Sequence, residues 1–181
     1  ISALCAGMHP ISFELVGRQG QVAIQIASSL SDSERVAAAL TDYLPDCTAT
    51  EDVDLLHELR PAEATSLVVD FGCADEFFLP FETFPSFRLD PLMTLVSALA
   101  RAGKHETLCF QVMVTRMVNP WRTAILKAAI DADGKSRFMD APEFVSWARQ
   151  KTEAPLFACT LRLYAQAKTQ ERCRELLRGT S

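Results

Sequence analysis

Along "ISFELVGRQGQVAIQIA" the apolar residues Ile11, Phe13 and Leu15 occupy alternate positions, and Val22, Ile24 and Ile26 do the same beyond Arg18-Gln19-Gly20. A period of two places each set on one side of a strand, so the short glycine-bearing break predicts a β-hairpin with one face buried. The period then changes. In "SDSERVAAALTDYLP" Val36, Leu40 and Leu44 recur at helical spacing, Ser31 followed by Glu34 reads as a capping box, and Pro45 ends the segment. "CTATEDV" reads as a short polar strand at a sheet edge. Residues 1–60 therefore predict β-β-α-β.

Beyond them, "DVDLLHELRPAEATS" reads as a connection with one helical turn, and "LVVDFG" as a buried strand closed by Gly72. "DEFFLPFETFPSFRLDP" has two prolines inside it and five Phe between positions 77 and 87. Proline excludes a regular helix there, so the pattern predicts an extended arm. That much apolar surface predicts burial, with the Phe residues closing a core made by strands at 66–71 and 106–117 and a helix at 90–102. Asp90-Pro91 starts that helix, Leu92, Leu95, Val96 and Leu99 form its inner face, and Gly103 stops it.

"TLCFQVMVTRM" alternates Leu108, Phe110, Val112 and Val114, the pattern of a central strand of about ten residues. Helices follow from Asn119-Pro120-Trp121 to Ile130 and from Asp140-Ala141-Pro142-Glu143 to Thr152. "PLFACTLRLYAQA" then reads as a long strand and "KTQERCRELLRG" as a terminal helix. A shift of 137 residues lays Val22, Ile24 and Ile26 on Cys159, Leu161 and Leu163, and Glu34-Arg35 on Glu171-Arg172. The expected fold is α+β, a two-layer sandwich of ferredoxin-like β-α-β halves with a mostly antiparallel sheet and helices on one face. Its halves are 1–60 (β-β-α-β) and 61–181 (β-arm-α-β-α-α-β-α), packed as one domain or as two.

Composition narrows the setting. The 181 residues suffice for one core. No run approaches the roughly 18 apolar residues of a membrane span, and "ISALCAGMHP" lacks the basic and apolar regions of a signal peptide. Without an initiator Met, the chain reads as a piece of a larger cytoplasmic protein with no membrane insertion. Cys5, Cys47, Cys73, Cys109, Cys159 and Cys173 form no C-x-x-C, and His9, His57 and His105 stand apart, so reduced thiols are expected and no metal or other cofactor. Charge divides sharply, with 3 Lys+Arg against 14 Asp+Glu in 1–87 (−11) and 15 against 9 in 88–181 (+6). Such asymmetry suits docking between subunits or an auxiliary contact with nucleic acid.

Candidate chemistry is sparse. Gly103-Lys104 fails as a phosphate loop because Ala98 stands where the first Gly belongs, and His105 where a Ser or Thr should hold Mg²⁺. The pair also closes a helix instead of opening one, presenting the wrong dipole end to a phosphate. "DADGKSRFMD" resembles part of a calcium loop, but Ala129 occupies the first ligand position, and a polar turn fits better. No G-x-S-x-G, H-E-x-x-H or G-x-G-x-x-G occurs. This segment is therefore not expected to be an enzyme, although a Cys, His and carboxylate site assembled in space stays open. Within the basic centre at 88–137, Arg101, Lys104, Arg116, Arg122 and Lys127 are the candidates for contact with nucleic acid or a partner.

"ISFELVGRQGQVAIQI" with "LTDYLPD", "DEFFLPFETFPSFRLDPLMTLVSALARAGKHETLCFQVMV" with "NPWRTAIL", and "APLFACTLRLYAQ" with "ERCRELLRG" resemble the region preceding the motor in bacterial conjugative-type ATPases. These are the HerA/FtsK-superfamily proteins related to type IV secretion and TraG/TraD-like DNA-transfer ATPases. The resemblance implies an α+β accessory domain that docks its own motor domain and neighbouring subunits of a ring, a hexamer in the parent protein. It carries no Walker loop, so ATP hydrolysis does not transfer to this segment. The alternative expectation is a stand-alone protein-interaction module without a motor.

Overall fold

The computed structural model describes residues 9–46, 48, 50, 54–56, 64–81, 90–116 and 121–180. The strand expected at 47–53 apart from Thr48 and Thr50, the connection across 57–63, the arm's far part with Phe84 and Phe87, Arg88, Asn119-Pro120, His57, Cys5 and Cys47 lie outside the described residues.

Five strands, β1 (Ile11–Arg18), β2 (Gln21–Ala27), β3 (Thr65–Phe71), β4 (Thr107–Arg116) and β5 (Phe157–Ala167), form one sheet in the order β2-β1-β4-β5-β3. Every neighbouring pair is antiparallel. The helices are α1 (Ser33–Tyr43), α2 (Pro91–Leu99), α3 (Trp121–Ala129), α4 (Phe144–Thr152) and α5 (Gln170–Arg178). This is the α+β, antiparallel-sheet architecture that the alternating patterns predict. Because β1 pairs with β4, the hairpin of the first sixty residues and the strands of the remainder share a single sheet. β3 and β4 both run opposite to β5, which lies between them, so β3-α2-β4 is a split β-α-β unit.

Local chemistry explains the elements that form. Gln19 and Gly20 both have positive φ (51° and 79°), the two-residue turn that matches strand twist in a tight hairpin. At α2, the Asp90 carboxylate accepts from the Leu92 N–H at 2.9 Å, with Pro91 in the first turn. At α5, Thr169 Oγ1 accepts from the Arg172 N–H at 3.3 Å.

Two helices, α2 and α5, lie on one face of the sheet. Leu99 of α2 with Ala102 just beyond its end, and Cys173, Leu176 and Leu177 of α5, close over Leu15, Leu108, Leu163, Ala165 and Ala167. A second cluster joins Phe78 to Ile125 and Ala129 of α3 and Ala148 of α4, with Phe144 against it. Among the described residues, no helix is long and apolar enough to cross a membrane.

Several expectations are corrected. Among the described arm phenylalanines, Phe78 is buried and packs on α3 and α4 instead of the sheet core, while Phe77 and Phe81 are exposed. β3 is an edge strand with Val68, Val69 and Phe71 exposed; a continuous apolar run reads as a buried strand but does not say how many partners the strand has. On α2, Leu92 and Val96 are exposed, because only the Leu95–Leu99 side meets the sheet. α1 starts one residue later than its capping box predicts, with Asp32 instead of Ser31 as its N-cap, after a 3-10 turn at Leu30–Asp32, and Asp32 is held by Ser29 and Arg35. Gly103 is not a left-handed helix stop, since α2 ends at Leu99 with Ala100 as its cap. Its role is in the following turn, where its N–H donates to Glu106 at 2.9 Å.

Glu106 ties that turn to α5. Its two oxygens accept from Arg172 Nε at 2.7 Å and Nη2 at 3.1 Å. The Arg172 hydrogen bonds, with help from the Gly103 N–H and against partial burial, hold the Glu106 carboxyl below its ordinary value of 4.5. A depressed carboxylate pKa stabilises the fold above the ordinary value and loses that contribution as pH falls through the folded-state value. Glu106→Gln should therefore lower the melting temperature near pH 7, with the gap to wild type closing below about pH 4. A constant gap down to pH 3 in thermal melts would mean the pair contributes no linked protonation.

Candidate functional site

Register places the apolar strand residues in transverse rows across the helix-bearing face. One row, Val22-Gly17-Leu108-Ala165-Leu67, lies under α2 and α5. The next, Ile24-Leu15-Phe110-Leu163-Val69, is buried at Leu15 and Leu163, while its ends at Ile24 and Val69 are exposed. The third, Ile26-Phe13-Val112-Leu161-Phe71, is apolar on all five strands and partly open across the width of the sheet. Phe13 is 37% exposed, Leu161 38% and Phe71 44%, values typical of a surface, not a core.

Helix length accounts for the opening. α2 and α5 have nine residues each, and at 1.5 Å per residue each is about 13.5 Å long. β5 alone, with eleven residues, extends about 36 Å. Two such helices cover the upper rows and leave the third, about 19 Å wide from four strand spacings, partly exposed.

The opposite face carries the polar alternates. Glu14 is 3% exposed, and its carboxylate accepts from Ser12 Oγ at 2.8 Å, Gln111 Nε2 at 2.6 Å and Gln25 Nε2. Gln25 in turn donates to Asp54 and accepts from the Leu55 N–H, fixing the 54–56 segment to the edge of the sheet. Three donors satisfy the buried charge, as a carboxylate in a low-dielectric setting requires. Cys109 lies beside this network, fully buried. Burial, and then the charges of Glu14 and Asp54, push its thiol up to about 12. A nucleophilic cysteine needs the opposite shift, toward thiolate at neutral pH, so this Cys-carboxylate neighbourhood holds strands together and keeps its thiol protonated.

The predicted basic residues do not converge. Arg101 and Lys104 lie between α2 and the start of β4, where the Arg101 guanidinium reaches the α5 end at Gly179, the negative end of that helix dipole. Arg116 is at the far end of β4, about 31 Å from the strand's start. Arg122 and Lys127 are on α3, five residues apart and so about 140° apart around its axis. In the acidic turn, Asp131 Oδ1 accepts from the Asp133 and Lys135 N–H groups, and Gly134 has φ of 80°, the polar-turn reading of that segment. Of the described cysteines, Cys109 and Cys173 are buried while Cys73 and Cys159 are exposed.

The bare third row was not singled out from sequence, although its members were visible as alternating positions. The missing signal was arithmetic, since two nine-residue helices are too short for strands of ten and eleven residues. The chain matches no protein-family model, no curated protein and no solved structure at a significant level.

Proposed function

We propose that the chain is a non-catalytic accessory and assembly domain of a DNA-translocating, conjugation-type ATPase of the HerA/FtsK kind, working in the cytoplasm beside its motor. The observation that carries the docking role is the open apolar row Ile26-Phe13-Val112-Leu161-Phe71. A continuous apolar strip on an exposed sheet face favours association with another surface. The attachment to a DNA-transfer ATPase rests on the sequence resemblance. The dispersed basic residues support at most an auxiliary DNA contact, centred on Arg101 and Lys104. The same row equally suits a stand-alone interaction module, which is the second reading.

Leu161→Glu and Phe71→Glu test the docking role. The wild-type chain should self-associate reversibly in sedimentation velocity at concentrations on the order of tens of micromolar, the weak regime of a small interface. Both variants should remain monomeric with melting temperatures within a few degrees of wild type. Variants that melt far below wild type would identify the row as core and remove the basis for docking.

A further inference from the structure

On the helix-bearing face the β3-β5 ladder steps from Leu67 opposite Ala165, to Val69 opposite Leu163, to Phe71 opposite Leu161. The next step of the same register falls on Cys73 and Cys159. β3 stops at Phe71, while β5 continues to pair with β4, where Cys159 stands opposite Val114. Both cysteines are exposed. The chain beyond Cys73 is also fixed near this end of the sheet. Lys151 Nζ donates to the Phe77 and Leu79 carbonyls, and Lys151 is in the last turn of α4, which leads within a few residues to Phe157 at the start of β5.

We propose that Cys73 and Cys159 form a reversible cross-strand disulfide, a redox-modification site at the open end of the β3-β5 ladder. Directly opposed residues in an antiparallel pair hold their Cβ atoms about 4.5–5.5 Å apart, and a disulfide needs about 3.5–4.5 Å. The bridge therefore asks the chain at Cys73 to extend the ladder by one further pair and then to close by about 1 Å. Gly72, with no atom near the place a Cβ would occupy, leaves room for that movement. Cys73 lies past the last ladder pair of β3 while Cys159 is held within β5, so Cys73 is the sulfur that can move and is the attacking one.

The oxidant is a small-molecule disulfide. The Cys73 thiolate attacks one of its sulfurs, forming a mixed disulfide and releasing one thiolate. The Cys159 thiolate then attacks the Cys73 sulfur, forming the protein bridge and releasing the second. Two electrons pass from the cysteine pair to the small disulfide, and the two protons lost by the cysteines end on the two released thiols. The new bond lies beside Phe71 and Leu161, so it fastens one rim of the open apolar row. The assignment stands independently of what that row docks.

Oxidised glutathione at pH 8, applied to the folded chain and followed by alkylation, proteolysis and mass spectrometry, tests it. The expected product links the Cys73 and Cys159 peptides with a loss of two hydrogens, and dithiothreitol reverses it. Cys73→Ser and Cys159→Ser should each leave the other cysteine with a persistent glutathione adduct and no bridge. Amide exchange across Thr65–Phe71 should slow in the bridged form. Separate, stable glutathione adducts on both cysteines of the wild type would show that the sulfurs do not meet and would overturn the proposal. So would a bridge from either to another cysteine, or no modification of either.

Discussion

Replacing Phe78 by alanine is expected to lower unfolding stability by about 3–5 kcal/mol, the range for a large aromatic removed from a packed core. Phe78 is 2% exposed, and its ring contacts Phe138 and Phe144 at centroid separations of 5.5 and 5.4 Å. Phe144 stacks onward against Trp147 at 5.4 Å. α3 and α4 have Ile125, Ala129 and Ala148 as their other fully buried side chains in this cluster, so few atoms are available to refill the space. The melting temperature should fall on the order of 10 °C. Phe81→Ala is the matched control. Phe81 is 70% exposed, and the Lys151 ammonium lies 4.8 Å from its ring centre, an interaction worth about 0.5–1 kcal/mol at an exposed site. Urea unfolding of both variants separates two placements of the arm. A larger loss from Phe81 than from Phe78 would put the arm against the sheet and dissolve the α3-α4 cluster.

That contrast marks where the sequence was legible. The hairpin, β4, β5 and α5 are encoded within a dozen residues each, by a period of two, a Gln-Gly turn and a Thr cap, and they formed where the patterns predict. The five Phe of the arm were legible as a demand for burial, but which of them is buried depends on α3 and α4, some 45 to 75 residues further along. α2 has only Thr94 and Ser97 as polar residues, so its pattern gives an inner face that is too wide, including Leu92 and Val96; the side that meets the sheet is set by where Gly17 allows it to approach. For the polar network, alternation puts Ser12 and Glu14 off the apolar face, yet only the β1-β2 and β1-β4 registers bring Gln25 and Gln111 opposite Glu14. The open row has the same origin. Its residues are local, and its exposure is a property of how far two short helices extend over long strands.

Gly17→Ala should destabilise by about 2–3 kcal/mol and Gly17→Val by more, near or beyond the upper end of what overpacking usually costs. Strand propensity alone predicts the reverse, because glycine weakens a strand and valine suits one. The close approach of α2 decides the sign. A Cβ on Gly17 would stand 2.1 Å from the Leu99 carbonyl oxygen and 2.6 Å from its carbon, and backbone cannot rotate away as a side chain can. Nor is the helix end able to rise alone. The Gly20 N–H donates to the Ala102 carbonyl at 3.1 Å and the Gln19 N–H to the Gly103 carbonyl at 3.4 Å, so lifting α2 pulls on the hairpin turn. Gly72→Ala provides the comparison, since nothing lies within 4 Å of its added Cβ and its φ is not positive; it should be neutral or stabilise by about 0.4–1 kcal/mol through the unfolded chain. Equal unfolding midpoints for Gly17→Ala and wild type would mean that α2 does not rest on β1 at this point. The boundary between covered and open rows would then move, and the docking surface assigned to the third row would move with it.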